Sequence, residues 1–334
     1  MKTHRVLAWL FTGFTAVGSA TLFAQVPGGS PQLDPAQQQR QANQAAQVAG
    51  GGEPELYPGE GADTGPQMVI HLKPRPTHFE TQADIQFFHT DNFFFADVNA
   101  PIKASTTVLA STVQFALAPT AYPLGSGTFS PRAGFRHQFY NFSVESKGQP
   151  VDYSALDFHA QTAFLEGSYR FDEHWTAEAG ADYTRLFYFD THDTFYAAWS
   201  PHWGVQCAFS LCPKAAAAMG YQGLYHFVDN DNAVFPMNST NRLDNILFAN
   251  LSVAVCRYFV AQPYYRFKHT HFMDVFGGRE DYLHSLGLGL YAFLTQRLSV
   301  RAFLNYDLRN SSNRYISDYR KLDLGGGANF TVRF

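Results

Sequence analysis

From about residue 77 to the end, apolar and polar side chains alternate with period two in a succession of separate stretches. The last one, Asp318 to Phe334, shows the pattern most clearly. Counting back in twos from the terminus gives Phe334, Val332, Phe330, Ala328, Gly326, Leu324 and Leu322 on one face. The other face carries Arg333, Thr331, Asn329, Gly327, Gly325, Asp323 and Lys321. Period two is the signature of a β-strand, and this run exceeds the roughly 5–6 residues of a mean globular strand. Twelve such strands are expected, near 78–88, 105–118, 129–142, 157–171, 175–189, 195–210, 215–228, 244–255, 258–271, 281–293, 297–309 and 319–334.

The connections alternate in length. Asp172–His174, Leu211–Lys214, Cys256–Arg257 and Leu294–Gln296 are short. His89–Ala104, Ser143–Leu156, Asp229–Leu243, Phe272–Glu280 and Asn310–Asp318 are longer and polar. Two break the rule: Pro119–Thr128 is long where a short turn is expected, and Asp190–Thr194 is short where a loop is expected.

An alternating final strand closed by Phe resembles the C-terminal signature of bacterial outer-membrane β-barrels. The resemblance implies an all-β fold, a single antiparallel transmembrane barrel of twelve strands over residues 77–334. It also implies that Phe334 is a membrane-insertion signal, read with the last strand by the barrel-assembly machinery, and that outer-membrane lipid is the surrounding partner. Short periplasmic turns, long outer loops and an even strand count suit that architecture. Lipid offers no partner to backbone N–H and C=O groups, so only a closed sheet crosses it without helices.

The N-terminus reads as an export signal over residues 1–24, with Lys2, His4 and Arg5 before an apolar run and Ala24 at the cleavage point. Residues 25–76 form a Pro-, Gly- and Gln-rich leader without apolar periodicity, expected to stay disordered in the periplasm or to fold back as a plug. The expected location is therefore the bacterial outer membrane. After the signal no run of 18 uncharged apolar residues occurs, so helical spans are not expected.

Composition sharpens this picture. Aromatic residues make up 16% of the chain and charged residues another 16%, against the usual quarter for charge. Trp175, Tyr183, Phe187, Tyr188, Phe189, Trp199 and Trp203 suit interfacial aromatic girdles. A net charge near −4 gives no case for nucleic acid.

Parity places both signs of charge on the lumen face: Glu80, Asp84, Arg132, Arg136, Glu166, Arg170, Glu178, Asp182, Arg266, Lys268, Arg301, Asp307, Arg309, Lys321, Asp323 and Arg333. They could line a water-filled pore and bias solute choice, or pair across strands and fill a narrow barrel.

Other chemistry is sparse. His192, His269 and His271 fall near the outer rim, and Asp229, Asn230, Asp231 and Asn232 crowd one loop without the EF-hand Gly and Glu positions. No metal or cofactor site is expected. Cys207, Cys212 and Cys256 are an odd set in an exported chain and show no zinc spacing. The stretch His89–Asn99 is similar to the opening hairpin of some barrels linked to exopolysaccharide export.

Three functional readings follow. The first is a porin-like channel passing small hydrophilic solutes or oligosaccharides by diffusion, without enzymatic activity. The second is a plugged barrel serving as envelope scaffold or surface-binding protein. The third is a membrane-embedded lipid hydrolase, since barrel phospholipases and lipid A deacylases share the twelve-strand architecture. That reading lacks a GxSxG or HExxH motif, and adjacent His284 and Ser285 face opposite sides of one strand.

Overall fold

Twelve long strands form in the computed structural model, which describes residues 78–92, 105–146, 149–150, 157–189, 192–212, 214–229, 241–256, 258–273, 278–295, 297–313 and 318–334. The expected export signal and leader lie outside the described residues. The strands are β1 (Phe79–Thr90), β2 (Ser105–Leu117), β3 (Gly127–Ser146), β4 (Phe158–Arg170), β5 (Trp175–Tyr188) and β6 (Thr194–Cys212). They continue with β7 (Ala215–Asp229), β8 (Arg242–Cys256), β9 (Phe259–Phe272), β10 (Arg279–Phe293), β11 (Leu298–Ser311) and β12 (Tyr319–Arg333).

Each strand pairs antiparallel with its sequence neighbour, and β1 pairs with β12 to close the ring. The closing register runs from Glu80↔Arg333 to Thr90↔Asp323. Phe334 seals the seam, its carbonyl accepting from the N–H of His78 (3.1 Å) and Phe79 (2.9 Å) while its own N–H donates to Phe79 O at 3.0 Å. The Phe79 and Phe334 rings stack outside with centroids 6.1 Å apart. Closure leaves no free sheet edge, which is the condition for lying in lipid.

The two faces invert the pattern of a soluble sandwich. Phe87, Leu165, Leu286 and Leu324 are about 60% exposed on the outer wall (60%, 63%, 60% and 58%), whereas inward Asp84, Asn305, Asp307 and Asp323 are 4% exposed or less. Apolar surface of that extent around a whole barrel is stable against hydrocarbon, where it loses nothing to water.

Both irregular connections are built features. The long one folds into a hairpin, with the short strand Tyr122–Leu124 pairing onto Gly127–Phe129. Gly125 takes the left-handed backbone at its tip, with φ 59°, a conformation open to glycine at no steric cost. β3 therefore starts at Gly127, two residues earlier than its alternation suggests. The short connection from β5 to β6 follows a bulge between Leu186 and Phe187. His192 N–H donates to Tyr188 O and Tyr188 N–H to Asp193 O, both at 3.1 Å. His192 sits there at φ 59°.

Side chains fix the short turns at the end of the barrel that carries residues 78 and 334. Asp172 Oδ1 accepts from the N–H of both His174 and Trp175 at 2.8 Å. These two bonds hold its carboxyl below the ordinary carboxylate range. Thr295 Oγ1 does the same for Arg297 and Leu298 in the β10–β11 turn, at 3.1 and 2.9 Å.

Candidate functional site: the barrel interior

The interior divides into a packed half and a hollow half. The packed half centres on the inner face of β10–β12 and β1, with part of β9. Arg301 on β11 reaches over β12 to Asp84 on β1, giving paired bonds of 2.6 and 2.8 Å and a third of 3.0 Å to Gln86. Gly327 lies beneath that bridge, and a Cβ there would stand 3.3 Å from Arg301 Nη2 and 2.5 Å from Ile85 O. Tyr264 on β9 likewise crosses over Gly287 of β10 to donate to Asn305 Oδ1 on β11 at 2.9 Å. Missing side chains on the intervening strand thus let polar groups two strands apart meet.

The remaining charges of this half are also paired. Lys321 Nζ stands 2.9 Å from Asp323 and 3.5 Å from Asp307. Asp307 accepts from Ser285 at 2.6 Å and from Asn305 at 2.8 Å. Arg279 pairs with Asp281 at 2.6 Å, and Arg309 stands 3.7 Å from the same carboxylate. Lys268 stands 3.5 Å from Asp244.

The hollow half holds a cavity of about 640 Å³, within the roughly 300–1,000 Å³ range of small-ligand sites. Its lining begins at the short-turn end with Ala118, Pro119, Thr128, Arg170 and Thr176. It climbs past Arg132, Arg136, Glu166, Glu178, Asp182 and Arg266 to Tyr140, Phe158, Ser200 and His226. Arg132 is clamped between Glu80 (2.8 Å) and Glu166 (2.9 Å), with its guanidinium 5.0 Å over the Phe164 ring. Arg333 closes the group at the rim, 2.9 Å from Glu80 and 64% exposed.

At the long-loop end the inward side chains turn apolar. Phe88, Val108, Ala110, Tyr140, Phe158, Ala160, Leu186, Tyr196, Ala198 and Val228 form one buried cluster across β1 to β7, joined by half-buried Phe142, Phe195 and Phe303. Tyr140 and Phe158 belong to both the cluster and the cavity lining, so the cavity ends against this layer.

The sixteen charged residues expected on the lumen face fall into three groups. Arg132, Arg136, Glu166, Arg170, Glu178, Asp182 and Arg266 line the cavity. Asp84, Lys268, Arg301, Asp307, Arg309, Lys321 and Asp323 belong to packed ion pairs. Glu80 and Arg333 lie at the short-turn rim.

Sequence reasoning missed Arg242, Asp244, Arg279, Asp281, Ser200 and His226, all buried and all inward. Arg242 and Arg279 fall inside the expected connections Asp229–Leu243 and Phe272–Glu280, because alternation fades at strand ends. Asp244 shares a face with Ile246, Phe248, Asn250 and Ser252, a signal that was available in the chain. It is a hub: Thr270 donates to it at 2.7 Å, Arg242 stands at 4.0 Å and His226 Nε2 at 3.4 Å. On the other side of that ring, His226 Nδ1 stands 2.8 Å from Ser200 Oγ.

The remaining candidates resolve simply. His269 and His271 face Glu280 at 3.8 and 3.4 Å on the outer wall. Among the described residues no group of three or more His, Cys, Asp or Glu side chains could hold a metal ion. Residues 230–232 of the Asp/Asn-rich loop lie outside the described residues. The three cysteines are free thiols. Ser285 points inward and His284 outward, bonding Tyr265 OH at 2.8 Å. Of the His89–Asn99 stretch, Asp91 and Asn92 latch onto β12, at 2.7 Å to Leu322 N and 2.9 Å to Arg320 O. Residues 93–99 lie outside the described residues.

No protein-family model matches the chain, and no curated protein matches it. Solved structures do match. An outer membrane channel from Pseudomonas putida F1 superposes with a TM-score of 0.52 at 14% identity, over 83% of this chain and all (100%) of that one. The KdgM porin in complex with disordered oligogalacturonate gives 0.35 at 8% identity, over 75% and 98% of the two chains. The NanC porin gives 0.39 at 8% identity, over 74% and 98%. The fold is that of bacterial outer-membrane β-barrels, a closed antiparallel ring of twelve strands.

Proposed function

We propose that the chain is a porin-like channel of the outer membrane through which small hydrophilic solutes or short oligosaccharides diffuse passively. The observation that carries this reading is the polar cavity of about 640 Å³ leading inward from the short-turn end. At ~30 Å³ per water molecule it has room for about twenty waters. Four arginines and three carboxylates line it (Arg132, Arg136, Arg170 and Arg266 against Glu166, Glu178 and Asp182), so neither sign of ion is strongly excluded. Hydroxylated solutes can exchange hydrogen bonds with water for bonds to this wall. The apolar layer above is the narrow point, where polar solute and water are least favoured. Passage then requires the aromatic rings to part, and flux is small.

A second reading is supported by the same layer together with the ion pairs of the packed half: a barrel filled for stability, serving as scaffold. Swelling of liposomes containing the refolded protein separates the two. A channel gives swelling rates that fall with sugar size from a pentose to a trisaccharide. Rates equal to protein-free liposomes for every sugar, from protein shown to be folded, would leave the scaffold reading.

A further inference from the structure

We propose that Ser200, His226 and Asp244 form a nucleophilic triad that hydrolyses short-chain carboxylic esters of hydrophilic solutes admitted to the cavity. The proposal rests on the channel reading only in that the ester must reach the cavity; passage through the barrel is not required.

The three residues come from consecutive strands β6, β7 and β8. The β6–β7 ladder pairs Trp199 with Phe227 and resumes at His202 with Leu224, which sets Ser200 opposite His226 at an interruption. Pro201 has no N–H to donate and accounts for the break. Ser200 Oγ lies 2.8 Å from one ring nitrogen of His226, and Asp244 Oδ2 lies 3.4 Å from the other. The third group is itself held, since Thr270 donates to Asp244 Oδ1 at 2.7 Å. Nucleophile, base and carboxylate thus follow one another in the order of a triad, with Ser200 hydrogen-bonded to His226 and Asp244 at ion-pair distance from the other ring nitrogen, which makes no hydrogen bond of its own. Apo sites also show longer base–orienter distances than working complexes.

Location separates this set from ordinary buried polar pairs. Ser200 and His226 both line the cavity wall, whereas Ser285, which donates directly to Asp307 at 2.6 Å, has no histidine between and does not line it. Tyr140 and Phe158, also on the lining, offer an apolar surface for a short acyl group. Arg136 and Arg266 on the same wall suit an anionic or hydroxylated alcohol portion.

In the reaction Ser200 Oγ attacks the acyl carbon and its proton passes to His226. The acyl C–O bond breaks and His226 returns the proton to the departing alcohol. Water, the co-reactant, then attacks the acyl-serine, gives a proton to His226 and releases the carboxylic acid as Ser200 recovers its hydrogen. Asp244 never meets the ester. It is a positioning residue that keeps the imidazole aimed at Ser200 and stabilises its charged form.

The test uses the refolded full-length protein in detergent, with a small fluorophosphonate as probe and p-nitrophenyl acetate as ester. Peptide mapping should find the phosphonate on Ser200 and not on Ser285. Ser200→Ala and His226→Ala should each lower ester turnover at least 100-fold. Asp244→Asn should lower the maximal labelling rate without changing the half-saturating probe concentration. Thr184→Cys, at another point on the cavity wall, reports access through a small thiol reagent. Modification at position 184 with no label on Ser200 of the unaltered chain would overturn the triad and leave the channel standing. Modification at neither would overturn both.

Discussion

Replacing Arg301 by Met should destabilise the barrel by about 3–5 kcal/mol, the range for breaking a buried ion pair from one side. The side chains of Arg301 and Asp84 are 3% and 1% exposed, so neither can turn to water. The change removes bonds of 2.6 and 2.8 Å to Asp84 and one of 3.0 Å to Gln86. Asp84 then keeps only the 3.3 Å contact from Asn329 Nδ2. Adding Asp84→Leu removes the stranded charge and leaves two neutral groups, Gln86 Oε1 and Asn329 Nδ2, without these bonds, each a loss at the low end of about 1–3 kcal/mol. The double variant should therefore be more stable than Arg301→Met alone, and the two changes should couple by more than about 1 kcal/mol. Reversible urea unfolding in lipid vesicles, followed by tryptophan emission, measures all four corners of the cycle. At about 1.4 kcal/mol per decade, the single change alters the folding constant by roughly two to four orders of magnitude. A loss below 1 kcal/mol for Arg301→Met, or no coupling, would mean that water reaches this half of the interior and that it is not packed.

Further outcomes follow from the same geometry. Gly287→Ala places a Cβ against the Tyr264 ring; it should break the Tyr264–Asn305 bond and cost about 1–3 kcal/mol in the same unfolding assay. The Asp172 carboxyl should titrate below 3.8 by NMR, since both turn N–H groups bind its charged form. Its contribution to turn stability is present above the ordinary pKa and disappears as pH falls through the lowered one, so Asp172→Asn should flatten acid sensitivity of the turn. Arg136→Glu turns the cavity from four cations and three anions into three and four, and the reversal potential in a salt gradient should move towards cation preference. Deleting residues 25–76 should raise conductance if the leader occupies the lumen and leave it unchanged if it does not.

The strands were legible because one wall faces lipid and the other a polar interior, which writes period two into the chain. β11 and β12 show it best, since their inward residues are almost all polar or glycine. The signal fails where the inward face turns apolar. Around Val108 and Leu186 both faces carry apolar residues, so the sequence reads as an unbroken run and gives no hint of the layer that ends the cavity. Parity alone gathers the charges of a strand on one face, yet parity cannot say which strand neighbours align. The pairing of Arg301 with Asp84 is 217 residues apart in the chain, and Ser200, His226 and Asp244 meet only through the β6–β7–β8 register. The hairpin at Tyr122–Leu124 was hidden because its three residues are too few to show a period.

Single-channel recording of the refolded protein in a planar bilayer tests the channel reading most directly, with Leu186→Ala and Phe158→Ala beside the unaltered chain. Leu186 is fully buried (0% exposed) in the apolar layer and Phe158 stands where that layer meets the cavity. A channel narrowed by this layer gives small ohmic steps that become larger or more frequent when either side chain is cut back. Silence from all three proteins, each shown to be folded by its heat-dependent gel mobility, would contradict it.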